Sequence, residues 1–203
     1  MLSSVHYTVI DAFTNQVFRG NPAAVIILDE SSYNSLTSDG DITLRLIARE
    51  FNLSETAFVT PKESRGSGIP TFNLRWFTPK DEVPICGHAT LASAHALFST
   101  SSFVPSDTST LHFETLSGTL TAKRVKGSKI ELEFPAGIAK EVDDALYQKT
   151  KRVVNVAFGG KQHNVAFVGV GEGASFKKYM LIELQAPFDL ERATINPGPL
   201  VHT

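Results

Sequence analysis

The sequence predicts an α+β protein in which mostly antiparallel strands curl around one central helix. Three observations predict it. Period-two apolar patterns dominate the chain. One helix-length stretch, His88 to Phe98 (HATLASAHALF), is small or apolar almost all round and carries no charge, so it belongs inside the protein. Helices between the strands are too few for a doubly wound parallel sheet.

Each element follows from local chemistry. Val5, Tyr7 and Val9 alternate with His6, Thr8 and Ile10, so residues 5–13 read as a strand. Arg19-Gly20-Asn21-Pro22 reads as a turn, Ala23 to Leu28 as a buried strand, and the polar stretch Ser31 to Gly40 as a loop. Leu44, Ile47, Ala48 and Phe51 form one apolar stripe at helical spacing, with Asp39 or Asp41 placed to cap the helix. Strands are expected at 56–60 and 71–77, with a loop from Lys62 to Pro70 between them and a turn-rich segment from Thr78 to Pro84 after them. Beyond the central helix, strands are expected at about 110–115, 119–125 and 129–134. Pro135-Ala136-Gly137 breaks the pattern, so the expected domains are 1–136 and 137–203. A short helix (about 141–149) and strands at 152–158, 163–170 and 178–185 are expected in the second part.

Composition narrows the function. The 203 residues are 42% apolar and 20% charged, with a formal charge of −2. Such a chain buries a real core and is not disordered. It has no concentrated basic face, which argues against nucleic acid as a partner. A single cysteine excludes an internal disulfide and any multi-cysteine metal site. Without an apolar run near the ~20 residues that span a bilayer, and without a signal-like N-terminus, a cytoplasmic protein with no membrane partner is expected. Asn52-Leu53-Ser54 matches a glycosylation sequon, read as chance in that setting.

Candidate motifs differ in specificity. Gly169-Val170-Gly171-Glu172-Gly173 lacks the spacing and the following helix of a dinucleotide fingerprint and reads as a hairpin loop. Gly159-Gly160-Lys161 lacks the rest of a phosphate-binding loop and reads as a turn. His88 and His95 lie about 10 Å apart along one helix, too far for a single ion, so no metal is expected and His95 reads as a packing histidine. Cys86-Gly87-His88-Ala89-Thr90 is the sharper signal. A glycine before a buried helix leaves the first N–H groups without a side-chain cap, which suits a carboxylate or phosphate. His88 at that mouth suits hydrogen bonding or proton transfer, and Cys86 beside it would gain thiolate character. Glu55, entering an apolar strand, is a candidate general acid/base. The residues alone also fit a plain buried helix start and a solvated loop glutamate, and leave these alternatives open.

Four ordered segments change the reading. Asp11-Ala12-Phe13, the run Phe18-Arg19-Gly20-Asn21-Pro22-Ala23-Ala24-Val25, the run Asn52-Leu53-Ser54-Glu55-Thr56-Ala57-Phe58 and the run Cys86-Gly87-His88-Ala89-Thr90-Leu91-Ala92 resemble the phenazine-biosynthesis (PhzF-type) isomerase-like family. The resemblance is continuous from about Val5 to Phe134 and weaker through 163–185. It implies a diaminopimelate-epimerase-like fold of two lobes, each a curved sheet around a helix, with an active site between them. It also implies an isomerase without metal or organic cofactor, moving a carbon-bound proton on a small cyclic amino carboxylic acid such as a dihydro-hydroxyanthranilate. Carried over by position, Glu55 matches the catalytic acid/base, and His88 with Gly87 the proton-handling and carboxylate-binding element. Asn21 matches a cleft-lining polar residue, and Ala89 and Thr90 complete the expected substrate-binding set.

The resemblance also marks a departure. Related epimerases use two cysteines; with one in these 203 residues, Cys86 reads as a small buried apolar residue. Family members carry an E-D-P-x-T-G-S-A-like motif near their C-terminal end, and nothing between Pro135 and Thr203 matches it. The expectation is therefore a C-terminally truncated relative with an incomplete second lobe, whose open strand faces call for a covering chain such as a homodimer partner. The alternative expectation is a catalytically impaired relative that binds a metabolite or another protein.

Overall fold

Strand alternation sorts the side chains of the first part of the chain onto two opposite faces, and that sorting places the candidate site. The computed structural model describes residues 4–16, 18–63, 68–100, 102–173, 176–189 and 192–200. The chain divides into two compact units, Met1–Pro135 and Ala136–Thr203.

In the first unit, β1 (Thr8–Ala12), β2 (Asn21–Ile27), α1 (Glu30–Thr37), α2 (Ile42–Phe51), β3 (Glu55–Lys62) and β4 (Thr71–Phe77) are followed by β5 (Glu82–Val83) and α3 (Gly87–Ser99). Strands β6 (Thr110–Thr115), β7 (Gly118–Val125) and β8 (Lys129–Glu133) complete it. The strands form one eight-stranded sheet in the order β1-β2-β3-β4-β6-β7-β8, with β5 beside β4. Only β2–β3 and β4–β6 are parallel pairs; the others are antiparallel. Helix α3 packs against β1, β2 and β3 at one end of that order and against β8 at the other, so the sheet curls around it. This is the mixed α+β architecture that the uncharged, mostly small or apolar helix predicts.

Small residues make the embrace close. Ala89, Ala92, Ala94 and Leu97 are fully buried in α3, packed with Val25, Ala57, Leu74, Trp76 and Phe113 from the sheet. Its buried hydroxyls bond within the helix, Ser93 Oγ donating to the Ala89 carbonyl at 2.7 Å and Thr90 Oγ1 to the Cys86 carbonyl. Burying them therefore costs little. On the opposite face of the sheet, Ile26, Phe58 and Phe77 meet Leu36 of α1 and Leu44 and Ala48 of α2.

Several expectations need correction. The stretch read as a loop from Ser31 to Gly40 contains α1. The Asp29 carboxylate accepts from Ser32 N at 2.7 Å and starts that helix, and its few apolar residues, Tyr33 and Leu36, meet the second core. Asn21 and Pro22 lie in β2, paired with Ala12 and Asp11; the turn falls earlier, at left-handed Phe18 and Gly20. A Cβ on Gly20 would collide with the Ala12 carbonyl oxygen, so glycine is required there. The first strand stops at Ala12 because Phe13 has φ 64°. Residues 64–67 of the expected loop from Lys62 to Pro70 lie outside the described residues. The expected cap of α2 is split: Asp39 accepts from Thr43 N at 3.0 Å, whereas Asp41 occupies the cap position without capping.

The second unit holds β9 (Ala139–Glu141), α4 (Asp144–Ala157), β10 (Val165–Gly171) and β11 (Met180–Leu184), with the strands ordered β11-β10-β9. The expected strand at 152–158 is helical. Asp143 caps the start of α4, and Thr150, Val154 and Ala157 form a buried stripe that overrides the β-preference of the valines. Strand β9 went unpredicted because three residues carry no readable period. The two glycine motifs are a strand end with its connection (Gly169 to Gly173) and the left-handed stop after α4 (Gly159 and Gly160). Among the described residues, no helix is long and apolar enough to cross a membrane.

Candidate active site

Register brings the acid to the histidine. Parallel pairing sets Ala23 opposite Glu55, so the heads of β2 and β3 lie side by side. Alternation then puts Glu55 on the same side of β3 as Ala57 and Val59, the side that α3 covers. The approach to β3 is fixed by Asn52, which ends α2 in the left-handed region (φ 51°) with its N–H on the Ala48 carbonyl. The residue that matches a sequon is thus a helix C-cap.

The other partner is the start of α3. Cys86, extended at φ −151°, is the cap position and makes no side-chain cap; the helix begins at Gly87 itself, one residue earlier than expected. His88 reaches back, its Nε2 lying 3.4 Å from Glu55 Oε2 and 3.2 Å from Ser54 Oγ. Ser54 Oγ also donates to Asn21 Oδ1 at 3.4 Å. Cys86 Sγ lies 3.4 Å from the other ring nitrogen, Nδ1. The His88 side chain is 8% exposed and that of Glu55 19%, so one is enclosed and the other keeps an edge to solvent.

Burial dominates the electrostatics. It pushes the His88 imidazole below its usual value, against the opposing pull of the Glu55 carboxylate and the Pro22 carbonyl. The ring is therefore neutral at neutral pH. Burial pushes the Cys86 thiol up to about 12, although the N–H groups of Ala89 and His88 favour its ionised form. The expectation that the helix start would give Cys86 thiolate character is thus overturned by desolvation.

Glu55, Cys86 and His88 are ligand-type groups whose donor atoms lie within 4.8 Å of one another. Cys86 Sγ contacts Nδ1 and Glu55 Oε2 contacts Nε2, so the sulfur and the carboxylate approach different ring nitrogens.

The predicted residues are distributed as follows. Asn21, Glu55 and His88 come together, joined by Ser54, a residue that the sequence alone does not single out. Its adjacency to Glu55 in the Ser54-Glu55 pair is the available signal. Among the described residues, a Cβ on Gly87 would meet no heavy atom within 4 Å, leaving open space at the helix start. Ala89 and Thr90 are fully buried, and the Thr90 N–H and hydroxyl both bond the Cys86 carbonyl, so only backbone of this pair, at Ala89, belongs to the helix's open end. His95 is exposed, with Ser99 near its Nε2, rather than packed. A recess of about 610 Å³ in the second unit, around Phe158, His163 and Phe188, contains none of these groups.

This constellation can be set beside known proteins. The sequence pattern of the phenazine biosynthesis-like protein family matches residues 10–176. The chain belongs to that family. An uncharacterized isomerase of Halalkalibacterium halodurans is 47% identical over 133 residues, covering 66% of this chain and 44% of its own. Mouse phenazine biosynthesis-like domain-containing protein 2 is 46% identical over 197 residues, 95% of this chain and 62% of its own. A crystal structure of a PhzF-family protein from Enterococcus faecalis superposes with a TM-score of 0.68 at 29% identity, covering 97% of this chain and 64% of that one. A predicted epimerase from Pseudomonas aeruginosa shares the fold at TM-score 0.64 and 23% identity, over 90% of this chain and 60% of that one. The chain spans about half the length of the first curated relatives it matches.

Proposed function

We propose that this chain carries the proton-transferring half-site of an isomerase that acts on a small carboxylic acid, a cyclic amino acid being the class that the family suggests. One observation carries the reading: a partly exposed carboxylate, Glu55, lies 3.4 Å from a neutral, buried histidine at the uncapped start of an apolar helix.

The chemistry follows from the groups. The substrate carboxylate rests at the start of α3 beside Gly87, where the helix end favours negative charge and, among the described residues, nothing lies within 4 Å of a Cβ built on Gly87. Glu55 takes a proton from a substrate carbon; the C–H electron pair moves into the adjoining π system, and the protonated Glu55 returns the proton to another carbon. The reaction is a net proton shift, so it calls for no oxidant, reductant or organic cofactor. His88 donates a hydrogen bond toward the reacting region, and Asn21 with Ser54 lines its edge.

Incubation of the protein with small cyclic amino acids in heavy water tests this. Deuterium should enter at carbon, and Glu55→Gln should abolish the uptake. Uptake that survives the substitution removes Glu55 from the mechanism. A binding module without chemistry would instead show affinity indifferent to Glu55→Gln and no uptake in either protein.

A further inference from the structure

The side-chain contacts around His88 favour one placement of protons. Two oxygens face Nε2: Glu55 Oε2 at 3.4 Å and Ser54 Oγ at 3.2 Å. A carboxylate oxygen only accepts, and the Ser54 hydroxyl already donates to Asn21 Oδ1, so both present lone pairs to the ring. A proton on Nε2 is the placement that suits both oxygens. A neutral imidazole has one N–H, which leaves Nδ1 bare, and the atom facing Nδ1 is Cys86 Sγ at 3.4 Å. We propose that a one-way chain of hydrogen bonds, Cys86 S–H to Nδ1, Nε2–H to Ser54 and Ser54 O–H to Asn21, with the Glu55 carboxylate beside Nε2, holds His88 as the neutral Nε2–H tautomer. Cys86 and Ser54 are thereby positioning residues for the site.

This deepens the isomerase reading and rests on it for its functional meaning, because it makes His88 a fixed donor toward the reacting region rather than a base. It also gives the chain's one cysteine a role, since a thiol that keeps its proton is what a bare ring nitrogen requires. The reversed arrangement, with Nδ1–H donating to sulfur, would turn the bare Nε2 lone pair against the Glu55 carboxylate. The groups facing His88 are Glu55 from β3, Ser54 just before it, the Pro22 carbonyl of β2 and Cys86 at the start of α3.

The sign of one shift decides between the arrangements. An S–H donor to bare Nδ1 stabilises the neutral ring, so Cys86→Ala should raise the proton affinity of His88 by about threefold. Cys86→Ser, which keeps a donor, should restore the wild-type value. In the reversed arrangement Cys86→Ala lowers the affinity. The experiment is a ring-nitrogen NMR titration of histidine-labelled protein, with Glu55→Gln assigning the His88 signal. At pH 8 the wild type should show its ring proton on Nε2, a reading that stands even if the alanine variant does not fold. A proton on Nδ1, or an unchanged or lowered affinity in Cys86→Ala, overturns the proposal. No substrate is involved, so the isomerase reading and this one fail separately.

Discussion

Two polar clusters lie on opposite faces of the first unit's sheet, and they are built to different standards. On the α1/α2 face, the Arg75 guanidinium is saturated. It donates to Glu82 through Nε and Nη2 at 2.7 Å each, to Asp41 at 2.9 and 2.7 Å, and to the Tyr33 hydroxyl at 2.8 Å. On the α3 face, Glu55 and His88 meet at 3.4 Å in one contact, beside open space. The first cluster ties α1, α2, β4 and β5 together, and its bidentate geometry leaves its donors nothing further to do. The second leaves carboxylate lone pairs and helix N–H groups available. Saturation marks a structural clamp, and an incomplete shell is what the proposed proton transfer requires.

Variants separate the two clusters by what each one costs. The largest effect expected is on Glu55→Gln, which should lower deuterium uptake by a factor of about 10² or more while the unfolding midpoint in urea barely moves. Arg75→Met should do the reverse. It leaves Asp41 and Glu82 facing each other with no cation between them, at a cost of about 2–3 kcal/mol in denaturant unfolding. The same cluster sets an acid limit. Arg75 holds the Asp41 carboxyl below its ordinary value, so this contribution is full above about pH 4 and is lost as pH falls through the lowered value. Arg75→Met should flatten that part of the stability–pH curve.

Smaller effects sharpen the other side. Gly87→Ala fills open space and suits a helix, so stability should hold or rise by no more than about 1 kcal/mol, while carboxylate binding weakens by about tenfold in calorimetry. The smallest effect concerns His88. Its folded value lies below 6.5, so the unfolded chain binds the extra proton first, and stability falls as pH drops below about 6.5 toward the folded value. His88→Gln should remove that slope from thermal unfolding measured across this range.

Long patterns are legible in the sequence and short or compensated ones are not. The apolar stretch HATLASAHALF announces α3, and strict alternation in Phe72, Leu74 and Trp76 gives β4 its observed limits. Helix α1 escapes because a cap and two packed side chains, rather than a stripe, hold it. The helical course of residues 152–157 escapes because local valine preference points the other way and tertiary packing wins. In the site, Glu55 and His88 are legible as types in suggestive places. Their approach depends on the parallel register of β2 and β3, which no local signal carries. Ser54 and the state of Cys86 depend on contacts across 34 and 2 residues and on burial, visible only once the chain has closed.

On the function proposed above, the loosely paired carboxylate, and not the clamped one, moves protons. Deuterium incorporation at carbon, measured side by side for Glu55→Gln and Glu82→Gln under conditions where circular dichroism shows both folded, tests it most directly. The account predicts uptake lost in the first and kept in the second. Uptake kept in Glu55→Gln, or lost equally in both, contradicts it.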